Sequence, residues 1–98
     1  NIEIEDAKTA ARLCGLAIIS QLNEATNSNL DKINRIVKLG GFVNCIDEFT
    51  KQPEIINGAS DLMVEVFGDK GKHSRFAVGT NSLPRNVVVE IEAVAEIQ

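Results

Sequence analysis

The chain has 98 residues, 44% of them hydrophobic and 24% charged, ordinary globular usage and far from the low-hydrophobicity, high-charge regime of disorder. Single cores occupy roughly 100–150 residues, so residues 1–98 form one domain and leave no room for a second. A net charge of −4, with the 10 Lys and Arg scattered rather than gathered in a stripe, argues against nucleic acid as a partner, and no apolar run reaches the roughly 20 residues of a membrane span.

The first predicted element covers residues 5–25. Ala7, Ala10, Ala11, Cys14, Leu16, Ala17, Ile18 and Leu22 recur there at helical spacing, with Lys8, Arg12, Gln21 and Glu24 elsewhere on the wheel. Glu5 and Asp6 place negative charge in its first turn, where the helix dipole favours it, and Asn27-Ser28-Asn29 supplies the turn that ends it. After a short link over 31–34, residues 36–44 mix β-branched and aromatic side chains as a strand does. Within that strand Gly40-Gly41 predicts either a bulge or a close backbone approach. Pro53 opens a second helix in which Ile55, Ile56, Ala59, Leu62, Met63, Val66 and Phe67 follow steps of three and four, ending at Gly68. Asn57-Gly58 taken alone is a hairpin signal, but the helical periodicity on both sides overrides it.

A charged loop over 68–73 precedes a strand at 74–79, and 81–86 form a turn. Residues 87–97 read as strand throughout, with Glu90 and Glu92 on one face. The order α, β, α, β, β predicts a two-layer α+β sandwich: a mainly antiparallel sheet with both helices on one face. The aromatics are four Phe, with no Trp or Tyr, so aliphatic side chains must fill the core, and a subunit this small gains from oligomerising. Cys14 and Cys45 lie far apart in sequence, outside any CxxC or Cys/His pattern, and are read as free, buried thiols.

The chain offers no nucleotide loop, His pair, GxSxG or metal-ligand spacing. The stretch from 74 to 95 is more informative. Arg75-Phe76-Ala77-Val78, then Ser82-Leu83-Pro84, then Val89-Glu90-Ile91-Glu92-Ala93-Val94-Ala95 resemble the C-terminal signature of the RidA/YjgF family of reactive-intermediate deaminases, parts of which carry the name endoribonuclease L-PSP. The likeness continues upstream in the first helix, in the central strand ahead of Asp47-Glu48-Phe49, and in Asn57, where the family has an Asn in its second helix. Asn57-Gly58-Ala59-Ser60-Asp61-Leu62 and Val64-Glu65-Val66-Phe67-Gly68 resemble one branch of it.

The resemblance implies a chorismate mutase-like, ferredoxin-like subunit that assembles as a cytoplasmic homotrimer. Clefts between its subunits would bind small carboxylates, or hydrolyse enamines and imines such as 2-aminoacrylate and 2-iminobutanoate, without a metal or other cofactor. Carried over by position, Arg75 would grip the substrate carboxylate, Glu90 would activate the attacking water, and Ala77 and Asn57 would help bind the ligand. The residue types suit this chemistry. A guanidinium makes two parallel hydrogen bonds to a carboxylate, and a protonated imine carbon is electrophilic enough to need only a carboxylate base, worth about 10²–10⁴-fold.

This chain departs from the pattern at three places. Ala77 stands where many deaminase-active members have Cys, and His73-Ser74 replaces the Pro that commonly precedes the Arg. The family's first hairpin also has no counterpart in a chain that starts at Asn1, so the domain is expected to lack those strands. Plainer readings stand beside the functional ones: Arg75 as a surface residue paired with an acid, Glu92 as a solvated edge-strand residue, Asn57 as an ordinary helix polar residue, and His73 as solvent-exposed. A non-catalytic small-carboxylate or chaperone-like module is the alternative to the enzyme. RNA cleavage, attached by name to parts of the family, fits poorly with the acidic charge.

Overall fold

The computed structural model describes residues 3–98, arranged as α1 (Ile4–Ala25), β1 (Ile33–Asn44), α2 (Gln52–Phe67), β2 (Ser74–Thr80) and β3 (Val89–Ile97). Short 3₁₀ turns at Leu30–Lys32, Gly68–Gly71 and Pro84–Asn86 link them. The expected order of elements is observed. The first strand starts earlier than periodicity indicates, because Ile33 and Ile36 point into the core across an irregular stretch of register.

The three strands lie in the order β2-β1-β3. β3 runs antiparallel to β1, while β2 is parallel to it, with Leu39 opposite Arg75 and Gly41 opposite Ala77. The α+β two-layer reading holds, and the sheet is mixed. Its parallel half follows from α2, since a helical crossover between neighbouring strands returns the chain in the same direction.

Both helices cover one face of the sheet. Ala7, Ala11 and Gly15 form the buried stripe of α1. Small side chains there let α2 come close: a Cβ on Gly58 would collide with the Lys8 carbonyl oxygen. Two contiguous clusters fill the layer. Ala7, Ala11, Val43, Ile55, Ile56 and Val89 make one, and Ile33, Ile36, Leu39, Ala59 and Met63 the other. Met63 is fully buried, so Met63→Ala is expected to cost about 2–5 kcal/mol, read as a lower urea midpoint at unchanged slope.

Gly40-Gly41 is not a bulge. Both residues pair regularly with β2 and β3, and the register shifts fall between Ile33 and Arg35 and between Ile36 and Lys38. The glycines answer to close approach instead: a Cβ on Gly41 would stand 2.5 Å from Ile56 Cδ1, and one on Gly40 2.5 Å from the tip of the Phe76 ring.

The opposite face of the sheet carries no helix. Phe42 and Phe76 pack edge to face on it, 5.3 Å between centroids, with Lys38 Nζ 5.2 Å from the Phe76 ring centre. Glu92 reaches the same side, since its Oε1 lies beside Gly40 next to Phe76. Val78 and Val94 are 43% and 53% exposed, leaving a half-apolar sheet face open in the single subunit.

Candidate functional site

Arg75 sits on the edge strand β2, and the alternation that turns Phe76 outward turns Arg75 toward α2. Its Nη1 donates to Ser60 Oγ at 3.2 Å and its Nη2 to the Pro53 carbonyl at 3.5 Å. Among the described residues the ion pairs are Arg12–Glu65, Arg35–Glu96 and Lys72–Asp69. Arg75 belongs to none of them, so pairing with an acidic neighbour is not its role in the subunit. Its side chain remains exposed, and a guanidinium has five donors, most of them still available to a ligand.

Ala77 follows on the same face of β2 and packs against the core cluster around Val43 and Ile56. Glu90 is elsewhere. It lies opposite Phe42 on β3, exposed, with Glu92 two residues on. Val89 and Ile91 face the helices, so Glu90 points to the open side. Arg75 and Glu90 therefore occupy opposite faces and opposite edges of the sheet, separated by β1, about 10 Å across two strand spacings. One subunit does not bring them together. Asn57 is also apart from the hydrogen bonds of Arg75. It lines a groove of about 350 Å³ between α1 and α2 with Lys8, Arg12, Asp61 and Glu65. Across that groove Arg12 Nη1 meets Glu65 Oε2 at 2.8 Å, and this hydrogen bond and opposite charge hold the Glu65 carboxyl below its ordinary range.

His73 is not the exposed loop residue its surroundings in sequence suggest. It is half-buried, with Nε2 2.7 Å from Ser60 Oγ and Nδ1 against the Gly71 carbonyl. Both His73 and Ser60 were missed in the sequence, although signals for them exist. His73 lies just ahead of β2, two residues before Arg75, and Ser60 falls at helical spacing between Ile56 and Met63 on the sheet-facing side of α2.

Two clefts open at the other end of the parallel pair. One, of about 560 Å³, lies between the start of α1 and the end of β1, lined by Ile4, Val43, Cys45, Phe49 and Asn86 among others. A second, of about 510 Å³, is lined by Cys45, Asp47, Gln52, Gly79 and Asn81 among others. Neither includes Arg75 or Glu90. Both cysteines are free and half-buried, and burial pushes the Cys14 thiol up, away from nucleophilic use. Among the described residues no group of three or more His, Cys, Asp or Glu could hold a metal ion, and no helix is long and apolar enough to cross a membrane.

A three-stranded mixed sheet with two helices on one face defines a small two-layer α+β subunit. The family model described as "YjgF/chorismate_mutase-like, putative endoribonuclease" matches residues 1–97, and the chain belongs to this family. It is 42% identical to Protein TCP17 of Trypanosoma cruzi over 99% of its own length and 61% of that protein. Among solved structures it matches the Agrobacterium tumefaciens protein Atu1372, of unknown function, at 46% identity with a TM-score of 0.96, covering 99% of this chain and 62% of that one. A "putative endoribonuclease" from Shewanella oneidensis MR-1 matches at 32% identity with a TM-score of 0.93, over 99% of this chain and 64% of that one. The chain thus spans a little under two thirds of the length of these relatives.

Proposed function

We propose that this chain is a RidA-like hydrolase of reactive enamines and imines, such as 2-aminoacrylate and 2-iminobutanoate, working in clefts between identical subunits of a cytoplasmic homotrimer. The observation that carries the reading is the Arg75 guanidinium, exposed at a sheet edge, braced by Ser60 and the Pro53 carbonyl, and free of a carboxylate partner among the described residues. A substrate carboxylate would complete it through a paired hydrogen bond. Main-chain groups at Ala77, on the same face of β2, would take the rest of a small ligand.

Glu90 is the general base in this scheme, and its position on the far face of the sheet calls for a neighbouring subunit. The open face with Phe42, Phe76, Val78 and Val94 is a surface such a neighbour would cover. With the imine carbon already electrophilic, Glu90 has only to orient and deprotonate water. Glu90→Gln is then expected to lower kcat by about 10²–10⁴-fold with little change in KM. The assay is imine decay and ammonia release with 2-iminobutanoate or 2-aminoacrylate generated in situ.

The separation of Glu90 from Arg75 within the subunit also favours a second reading, a module that binds small carboxylates without turning them over. Saturable binding of 2-oxobutanoate together with background rates of imine decay would select it. Endoribonuclease action, named for the family and for the Shewanella protein, is disfavoured by a net charge of −4 and by basic residues scattered along the sequence rather than gathered in a stripe.

A further inference from the structure

We infer that Ser60 and His73 are positioning residues for Arg75, forming with the Gly71 carbonyl a one-way chain of hydrogen bonds that fixes the guanidinium; for ligand binding this rests on the reading of Arg75 as the carboxylate clamp. Ser60 is the starting point. It is 8% exposed on the face of α2 that carries the fully buried Ile56, Ala59 and Met63, where a hydroxyl is costly unless it is satisfied. A helical Ser or Thr commonly solves this by donating to the carbonyl four residues back. Thr9 and Thr26 do so, to Glu5 and Leu22. Ser60 instead reaches out of its helix to His73 and Arg75.

The direction of each bond follows from what each atom can do. The Gly71 carbonyl only accepts, so His73 Nδ1 carries a hydrogen. In the neutral ring Nε2 is then an acceptor, and the Ser60 hydroxyl donates to it. That commits the Ser60 proton and leaves an Oγ lone pair for Arg75 Nη1–H. Gly71 anchors the far end: a Cβ there would collide with the Met63 carbonyl oxygen, so this turn lies directly on the backbone of α2. Held at Nη1 by Ser60 and at Nη2 by Pro53, the guanidinium keeps Nε–H and one hydrogen on each Nη for a ligand.

The test compares the full chain with Ser60→Ala, Ser60→Thr, His73→Phe and Arg75→Ala, using 2-oxobutanoate as the binding probe and ¹⁵N spectra of the arginine side chains. Ser60→Ala and His73→Phe are expected to weaken 2-oxobutanoate binding and raise KM by about ten-fold, the worth of one hydrogen bond to a charged group, with kcat nearly unchanged. The resolved Nη signals of Arg75 should collapse to an average in both, and Ser60→Thr, which keeps the hydroxyl, should restore them. A merely structural hydroxyl would lower the thermal midpoint without moving either readout. Unchanged binding in Arg75→Ala overturns the clamp, and with it the ligand part of this proposal. Lost binding in Arg75→Ala beside wild-type binding and resolved Nη signals in Ser60→Ala and His73→Phe overturns the positioning alone. His73→Phe, placed in the loop ahead of β2, decides the matter if Ser60→Ala does not fold.

Discussion

Arg75→Ala is expected to lower kcat/KM for 2-iminobutanoate hydrolysis by about 10²-fold or more while the protein stays folded. The size follows from removing a paired, charge-assisted contact to the substrate carboxylate, each hydrogen bond of that kind being worth about 1.5–3 kcal/mol. Retention of the fold follows from the position of the residue: it is exposed at the free edge of β2, and its two hydrogen bonds are made to α2 from outside the core. Arg75→Lys should recover only part of the loss, since an ammonium keeps the charge and lacks the planar fork. The discriminating measurement is imine decay together with the circular dichroism of the same samples. Equal rates from wild type and a folded Arg75→Ala would remove the clamp and leave the binding-module reading in its place.

The architecture was largely legible because this chain writes its elements in separate periods. The three- and four-residue steps from Ile55 to Phe67 and the alternation from Glu90 to Ala93 each lead to one element type, and the structure contains both. Strand ends were less legible. Val87 and Val88 have strand chemistry but belong to the approach to β3: the preceding turn places Arg85 and Asn86 at φ 57° and 55°, and the regular ladder starts at Val89, although the Val88 carbonyl already accepts from the Asn44 N–H. Gly40-Gly41 left two readings open because local sequence does not reveal what stands above a strand. Only the arrival of Ile56 and Phe76 on either side decides for close approach.

The site was legible in its parts and not in its assembly. Arg75 and Glu90 could be picked out by likeness to a motif, yet a motif does not say that one faces the helices at one edge while the other faces outward at the opposite edge. Ser60 and His73 escaped notice for another reason. A lone histidine in a run of Lys, Gly and Asp resembles a solvated loop, and its burial comes from Gly71 lying on α2, a contact across the fold that no local pattern carries.

The same kind of contact makes Gly58 a position where a single methyl group is expected to be costly. In an ordinary helix interior, Gly→Ala stabilises by about 1 kcal/mol, and Gly58 lies well inside α2. Here the added Cβ would meet the Lys8 carbonyl oxygen and lie 3.1 Å from Arg12 N, both of them main-chain atoms of α1. A flexible side chain could swing aside; a helix backbone cannot, so α1 must shift as a unit and loosen Ala7 and Ala11 from the core. Overpacking of this sort costs about 1–3 kcal/mol and sometimes more, which outweighs the helical gain. The expected result for Gly58→Ala is a net loss of about 1 kcal/mol, seen as a Tm lower by roughly 4–8 °C for a domain of this size. A Tm a few degrees higher, the outcome helix propensity alone predicts, would mean that the two helices can separate slightly at no cost, and that Asn57-Gly58 reflects something other than close helix packing.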